Sequence, residues 1–97
     1  IKLNIIMNAN LKEKDLKSVL LETICRELEV DKINESDRLR DDLSMDSINA
    51  MYISMKVEFK LELENNDEIA HYIAKNPNVT VSELLDFVCE KVKNTKA

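Results

Sequence analysis

The chain has 97 residues, of which 44% are apolar, enough for one small domain with a single hydrophobic core. No apolar run is long enough to cross a membrane, and the net charge of −5 disfavours nucleic acid as a partner, because phosphate binding needs a basic surface. Residues 27–46 hold eight acidic and three basic side chains and account for the whole imbalance. This acidity predicts that a basic protein partner is attracted to the segment. The alternative is that the segment is a solvated acidic loop that only aids solubility.

The N-terminal residues 1–10 are predicted to form an arm. Residues 1–7, Ile-Lys-Leu-Asn-Ile-Ile-Met, are apolar but too short for a signal peptide and lack its cleavage pattern. Met7 is a candidate natural start, with residues 1–6 then coming from upstream sequence; the alternative is an ordered arm packed on the domain. The domain is predicted to span residues 11–93, with a tail at 94–97.

The first helix is predicted from about residue 11 to 28, because leucine and isoleucine recur there every four positions. Asn10 and Glu13 form a plausible capping pair at its start. A long, acidic, irregular segment follows at roughly 29–45. Its expected anchors in the core are Ile33, Leu39 and Leu43.

Three more helices are predicted. The second runs from about Asp46 to Leu63, and a short third one, from about Asp67 to Ala74, is ended by Asn76-Pro77-Asn78. Thr80-Val81-Ser82-Glu83 is typical of a capping box at the start of the fourth. Its buried face is expected to hold Val81, Leu84, Leu85, Val88 and Val92. Because no strand alternation is sustained, the predicted fold is all-α, a small four-helix bundle with a long first loop and a short third helix.

The turn residues and isolated reactive side chains carry less information. The chain has no glycine, so asparagine is expected to be its turn residue, because it tolerates left-handed conformations better than most residues. Cys25 and Cys89 lack metal spacing and are interpreted as small buried hydrophobes in a reducing, cytoplasmic setting, although one disulfide stays open. His71 has no second histidine or cysteine nearby and is interpreted as a surface or packing residue, so no metal site is predicted.

The most informative stretch is Asp41-Asp42-Leu43-Ser44-Met45-Asp46-Ser47-Ile48, where an acidic loop enters a helix. Asp46 is a good N-cap residue. An anion on the Ser47 hydroxyl would lie at the positive end of the helix, near unpaired backbone N–H groups. Ser47 lacks a glycine elbow and an assignable base, so it is not interpreted as a nucleophile. Taken locally, the two residues could also be a cap and a first-turn residue and nothing more.

This stretch resembles the attachment motif of acyl and peptidyl carrier proteins, whose core is Asp-Ser-Leu or Asp-Ser-Ile. The similarity extends over about residues 11–93, since carrier proteins are four-helix bundles with a long first loop and a short third helix. The resemblance implies a non-catalytic protein that carries 4′-phosphopantetheine, delivered from coenzyme A by a phosphopantetheinyl transferase, on Ser47. One departure is Ser44, because the family usually has glycine three residues before the serine.

Helix two has two apolar faces, which predicts that it is central or that one face binds a partner. Ala50, Ile53, Val57 and Leu61 lie on one side; the resemblance places the last three in the core. Ile48, Met51, Tyr52, Met55 and Phe59 lie on the other. The resemblance places Met51 and Met55 at a docking surface; the alternative is that this face is also core, covered by helix three or by residues 1–7. The expected docking set is Asp41, Asp42, Asp46, Ile48, Met51 and Met55.

The leading interpretation is therefore a monomeric carrier of acyl or aminoacyl thioesters. Its expected partners are the transferase and acyl- or aminoacyl-loading and biosynthetic enzymes with basic docking patches, without membrane insertion. A calcium-binding loop starting at Asp42 fails, because Ser47 and Ile53 occupy the positions that need glycine and glutamate. An unmodified helical interaction module is the remaining alternative. Because helix two is less acidic than in typical fatty-acid-synthesis carriers, a specialised carrier for a secondary metabolite, a lipid modification or an amino acid is also expected.

Overall fold

The computed structural model of the chain describes the backbone of residues 13–96 and the side chains of residues 15–94. Four helices follow one another: α1 (Glu13–Leu28), α2 (Ser47–Lys60), α3 (Glu68–Lys75) and α4 (Val81–Lys96). The all-α prediction is confirmed, with a long loop before α2 and a short third helix. The predicted arm, the Asn10–Glu13 capping pair and the start of the first helix at residue 11 involve residues outside the described part. The division into arm, domain and tail stays a prediction.

The core lies where the helical periodicity predicted it. From α1, Leu16, Leu20 and Ile24 are buried, and all five positions expected on the inner face of α4 are buried as well. The loop anchors Ile33 and Leu39 are buried, and Leu43 is partly buried against the same cluster. Tyr72 of α3 stacks on Phe87 of α4 with ring centroids 4.1 Å apart, which joins the short helix to the last one.

Helix α4 begins with the predicted capping box. The Glu83 N–H donates to Thr80 Oγ1 at 3.1 Å, and the Thr80 N–H donates to Glu83 Oε1 at 2.9 Å. Two N–H groups that lack intrahelical acceptors are thereby satisfied. The third helix agrees with its predicted bounds within one residue, and Asn76 is its C-cap.

The long loop between α1 and α2 is fastened to the start of α4. Backbone N–H groups of Leu39, Val81 and Ser82 donate to the carbonyls of Val79, Asp37 and Glu35 respectively, at 2.9–3.0 Å. A loop of this length without secondary structure has few backbone partners unless another segment supplies them. Here the turn before α4 supplies them, so the end of the loop has a defined position at the start of α2.

Among the described residues, asparagine takes none of the left-handed positions. The residues there with positive φ are Glu29, Ser44, Glu62 and Asp67, at 55–59°. Two of them end helices: after α2, the N–H groups of Glu62 and Leu63 donate to the carbonyls of Phe59 and Glu58, and α1 ends in the same way at Glu29. This helix-ending motif requires a left-handed residue whatever its side chain. It also ends α2 at Lys60, earlier than the predicted Leu63.

No disulfide joins the two cysteines, of which Cys89 is buried and Cys25 half-buried. Within residues 13–96, no helix is both long enough and apolar enough to span a bilayer.

Candidate functional site

Ser47 is the first residue of α2 and is exposed. Asp46 caps the helix as predicted: its Oδ1 accepts the Asn49 N–H at 2.8 Å, while Asn49 Oδ1 accepts the Asp46 N–H at 3.3 Å. The Ala50 N–H, which donates to the Asp46 carbonyl, belongs to the first full turn. The Ser47 hydroxyl therefore stands at the positive end of a well-capped helix, where a phosphate ester is favoured electrostatically.

The turn before Ser47 explains the unusual residue at position 44. Ser44 has a φ of 55°, in the left-handed region where glycine avoids the steric cost that a Cβ atom brings. The same turn is closed by the N–H groups of Ser44 and Met45, which donate to the carbonyls of Arg40 and Leu39 at 3.0 and 2.8 Å. Serine thus keeps the geometry that glycine favours at this position, at some conformational cost. The Met45 side chain, to which the sequence analysis gave no role, is buried beneath the turn.

The three acidic residues expected to attract partners all lie exposed at this end of the molecule, and each also has a structural role. Asp41 exchanges two hydrogen bonds with the Asn78 side chain, at 3.0 and 2.8 Å. Asp42 Oδ2 accepts the Arg38 N–H at 2.7 Å, and Asp46 caps α2. Their charges are available at the surface, but truncating them would also remove these hydrogen bonds.

A groove of about 880 Å³ opens beside Ser47, between α2 and α3. Its apolar lining comes from Met45, Ala50, Met51, Ala70, Ile73, Ala74 and Pro77. Arg40, Asp46, Asp67 and His71 are polar residues of the same lining. His71 is exposed, as predicted for a surface residue. The three alanines leave room between the two helices, so an extended apolar group could lie there next to Ser47.

Helix α2 separates its two apolar faces as the docking interpretation predicts. Ala50, Ile53, Val57 and Leu61 are buried. We use the name apolar strip for the opposite face, formed by Ile48, Met51, Tyr52, Met55 and Phe59. All five are exposed, Phe59 by 83% and Met55 by 44%. The alternative that α3 covers this face is therefore wrong. Its other form, coverage by residues 1–7, lies outside the described residues.

A buried polar flank of α2 holds α3 in place, which the sequence analysis missed. Ser54 and Glu58 lie on the flank of α2 between its two apolar faces, where polar side chains are usually solvated, yet both are buried. Ser54 Oγ accepts the Ala70 N–H at 3.1 Å, and Glu58 Oε1 accepts the Asp67 N–H at 3.4 Å. Asp67, the N-cap of α3, has no capping hydrogen bond from its own side chain. The first turn of α3 is thus capped by side chains of α2.

Burial raises the pKa of Glu58 above the ordinary glutamate value, against the backbone hydrogen bond from Asp67, which favours the charged form. Glu68, at the start of α3, behaves oppositely: the hydrogen bond from the Lys91 ammonium lowers its pKa. Neither residue belongs to a metal site, because residues 13–96 contain no cluster of three or more histidine, cysteine, aspartate or glutamate side chains able to hold an ion.

The fold and the site define a small helical bundle that presents a serine at a capped helix start beside an apolar groove. The model of the phosphopantetheine attachment site family matches residues 18–88, which include Ser47 and all of α2 and α3. The chain belongs to this family of non-catalytic carrier proteins, whose prosthetic group is 4′-phosphopantetheine. No curated protein and no solved structure matches the chain.

The family implies a phosphopantetheinyl transferase and biosynthetic enzymes as partners in general terms. The residues at the site fit the prosthetic group, because the exposed Ser47 hydroxyl and the adjacent groove lie together at the positive end of α2.

Proposed function

We propose that the Ser47 hydroxyl is the point at which 4′-phosphopantetheine is attached. The supporting observation is that Ser47 is an exposed serine at the start of a helix capped by Asp46 and lies inside the family match. Other serines fit less well. Ser54 is buried and accepts a hydrogen bond from Ala70, and Ser82, although in the first turn of α4, is half-buried.

When bound, the group supplies a thiol that holds the cargo as a thioester. The contribution of the chain is to hold and orient it. The first turn of α2 favours the negative phosphate through the helix dipole. The loop between α1 and α2 fixes where that turn begins, because Leu39 and Met45 are buried and their N–H groups donate to backbone carbonyls.

We propose that the cargo is an acyl group and that it rests in the groove between α2 and α3. The apolar lining, with Met45, Ala50 and Ile73 buried at its base, favours an alkyl chain through burial of apolar surface. An aminoacyl or peptidyl cargo is the alternative, and the carboxylates of Asp46 and Asp67 in the same lining favour it, since they could pair with an ammonium group. An acyl cargo would belong to fatty acid, polyketide or lipid biosynthesis.

The partners would dock at the Ser47 end of the molecule. We propose that basic patches on the transferase and on the loading enzymes meet Asp41, Asp42 and Asp46, while Ile48, Met51 and Met55 of the apolar strip supply apolar contact. The exposure of all six supports this. We propose that the protein acts in the cytoplasm as a monomer.

The test is incubation of the 97-residue chain with coenzyme A, Mg²⁺ and a broad-specificity phosphopantetheinyl transferase, followed by intact-mass measurement. One phosphopantetheine adduct is expected on the wild type and none on Ser47→Ala. Ser44→Ala is the matched control, because Ser44 is exposed and lines the same groove. An adduct that persists on Ser47→Ala refutes the assignment of the residue. An unmodified wild type would instead favour a helical interaction module.

The cargo is tested on the modified protein. Loading it with acyl groups of increasing length should shift the NMR signals of Ala50, Ala70 and Ala74, which line the groove. The same shifts with aminoacyl groups and none with acyl groups would favour the alternative cargo.

A further inference from the structure

Arg40 is a residue of the groove beside Ser47 to which the proposed attachment gives no role. Its side chain is exposed and lines the groove together with Ser47. The Arg40 carbonyl accepts the Ser44 N–H at 3.0 Å, so the turn that leads into α2 folds back on Arg40. Ser44 precedes Ser47 by three residues, and three residues span at most about 11 Å. The long Arg40 side chain therefore starts from a backbone position close to the first turn of α2.

The backbone on both sides of Arg40 is fastened to the segment that precedes α4. The Leu39 N–H donates to the Val79 carbonyl at 3.0 Å, and Asp41 exchanges two hydrogen bonds with the Asn78 side chain. Leu39 is fully buried, whereas Arg40 is exposed. The place where the Arg40 side chain leaves the backbone is thus set by the fold.

The Arg40 guanidinium group has no acidic partner among the described residues, although acidic residues follow it in the sequence. The carboxylates of its two neighbours are engaged elsewhere. Asp41 Oδ2 accepts the Asn78 side-chain amide at 2.8 Å. Asp42 Oδ2 accepts the Arg38 N–H at 2.7 Å. Because a guanidinium group stays charged at neutral pH, Arg40 keeps charged donors available for a ligand in the groove.

A phosphodiester on Ser47 would carry its negative charge beside acidic side chains. Asp46 precedes Ser47 directly, and its Oδ1 already accepts the Asn49 N–H in the first turn of α2. Asp46 and Asp67 both line the groove. These carboxylates oppose the helix dipole that favours the phosphate. Among the described residues of the lining, Arg40 is the permanently cationic one and can offset them.

We propose that Arg40 is a positioning residue for the prosthetic arm: its guanidinium group binds the phosphodiester on Ser47 and directs the arm into the groove between α2 and α3. The proposal rests on the attachment proposed for Ser47. A guanidinium group suits a phosphodiester because it donates to both unesterified oxygens at once, which orients the group as well as attracting it. No covalent bond forms or breaks at Arg40. Its effect is to favour arms that lie in the groove over arms that extend into solvent.

The experiment compares fully modified wild type with modified Arg40→Gln, after intact mass and peptide mapping have located the adduct. In ¹⁵N NMR of the wild type, the Arg40 Nε–Hε signal should move on modification and move back as salt is added, while the Arg38 signal stays in place. In Arg40→Gln, the ³¹P signal of the arm should shift from its wild-type position. The displacement of the Ala50 and Ala74 amide signals caused by the arm should become about two- to fivefold smaller, as expected for the loss of an exposed ion pair. Arg40→Lys, which keeps the charge but not the paired donors, should give intermediate values.

Arg38→Gln is the matched control, because Arg38 is also exposed, lies two residues away and is absent from the groove lining. It should leave the ³¹P signal and the alanine displacements unchanged. Since the Arg40 side chain is exposed and has no acidic partner among the described residues, its replacement should leave the fold intact, which urea unfolding checks.

The outcomes separate this proposal from the proposed function. A wild type without an adduct on Ser47 would overturn both. A wild type modified on Ser47 whose Arg40 signal stays in place, with the same ³¹P signal in Arg40→Gln, would overturn the role of Arg40 alone. Equal effects of Arg38→Gln and Arg40→Gln would assign the change to the general charge of the molecule and would also overturn it.

Discussion

The orientation of α2 predicts unequal losses for two neighbouring substitutions, Val57→Ala and Met55→Ala. Val57 is fully buried, and its truncation removes two carbon atoms from the core. At about 0.8 kcal/mol for each carbon removed, with about 1 kcal/mol for the cavity and about 0.5 kcal/mol regained in helix propensity, the net loss is about 2 kcal/mol. Met55 is 44% exposed, encloses no cavity when truncated, and should cost less than about 1 kcal/mol.

Urea unfolding followed by circular dichroism measures both losses in one experiment. The two residues are on the same helix two positions apart, so each variant is the control for the other. In thermal unfolding, the loss for Val57→Ala should correspond to a decrease in Tm of about 8–16 °C for a domain of this size. An equal or larger loss for Met55→Ala would mean that the strip is buried in solution and that the helix faces the other way.

The remaining predictions concern the acidic residues and the strained turn. Burial raises the pKa of Glu58, so the protonated side chain stabilises the fold below about pH 4.3, and this stabilisation is lost as the pH rises through the raised pKa. Glu58→Gln should therefore raise the free energy of unfolding at pH 7. At pH 4 the same substitution should no longer raise it. Ser44→Gly should stabilise the protein by about 0.5–1 kcal/mol in urea unfolding, because it relieves the left-handed conformation, and a loss would show that the serine side chain stabilises the turn. Replacing Asp41, Asp42 and Asp46 with asparagine keeps their hydrogen bonds and should slow modification by the transferase. Added salt should slow modification of the wild type similarly. If neither change alters the rate, the acidic side chains only face solvent and do not attract the transferase.

The core of the fold could be predicted from the sequence because burial leaves a direct periodic signal. Val81, Leu84 and Val88 recur at helical spacing, and a four-residue capping box marks where their helix begins. Ser47 could be singled out because the short stretch around it resembles the attachment motif of carrier proteins, whereas its cap residue and acidic loop alone are also typical of an ordinary helix start. Both kinds of signal are contained in a few neighbouring residues.

The role of Glu58 could not be predicted in this way. A glutamate between two apolar faces is usually solvated, and its burial here depends on where the next helix packs. The left-handed residues escaped prediction for a related reason. The conformation of Glu62 is set by the backbone hydrogen bonds that end α2 rather than by its own side chain. Its residue type therefore does not predict it.

Ser47 belongs to α2, but its position also depends on the segment that precedes α4. The capping box with Asn49 fixes the first turn of α2 internally. The approach to that turn is fixed from outside, because Leu39 is bonded to Val79 and Asp41 to Asn78, both in the segment that precedes α4. Movement of that segment would therefore displace Ser47, the proposed attachment point, even if α2 stayed intact. A carrier needs its prosthetic group to move while its partners recognise a constant surface, and a serine held by hydrogen bonds from two parts of the chain suits the attachment proposed for Ser47.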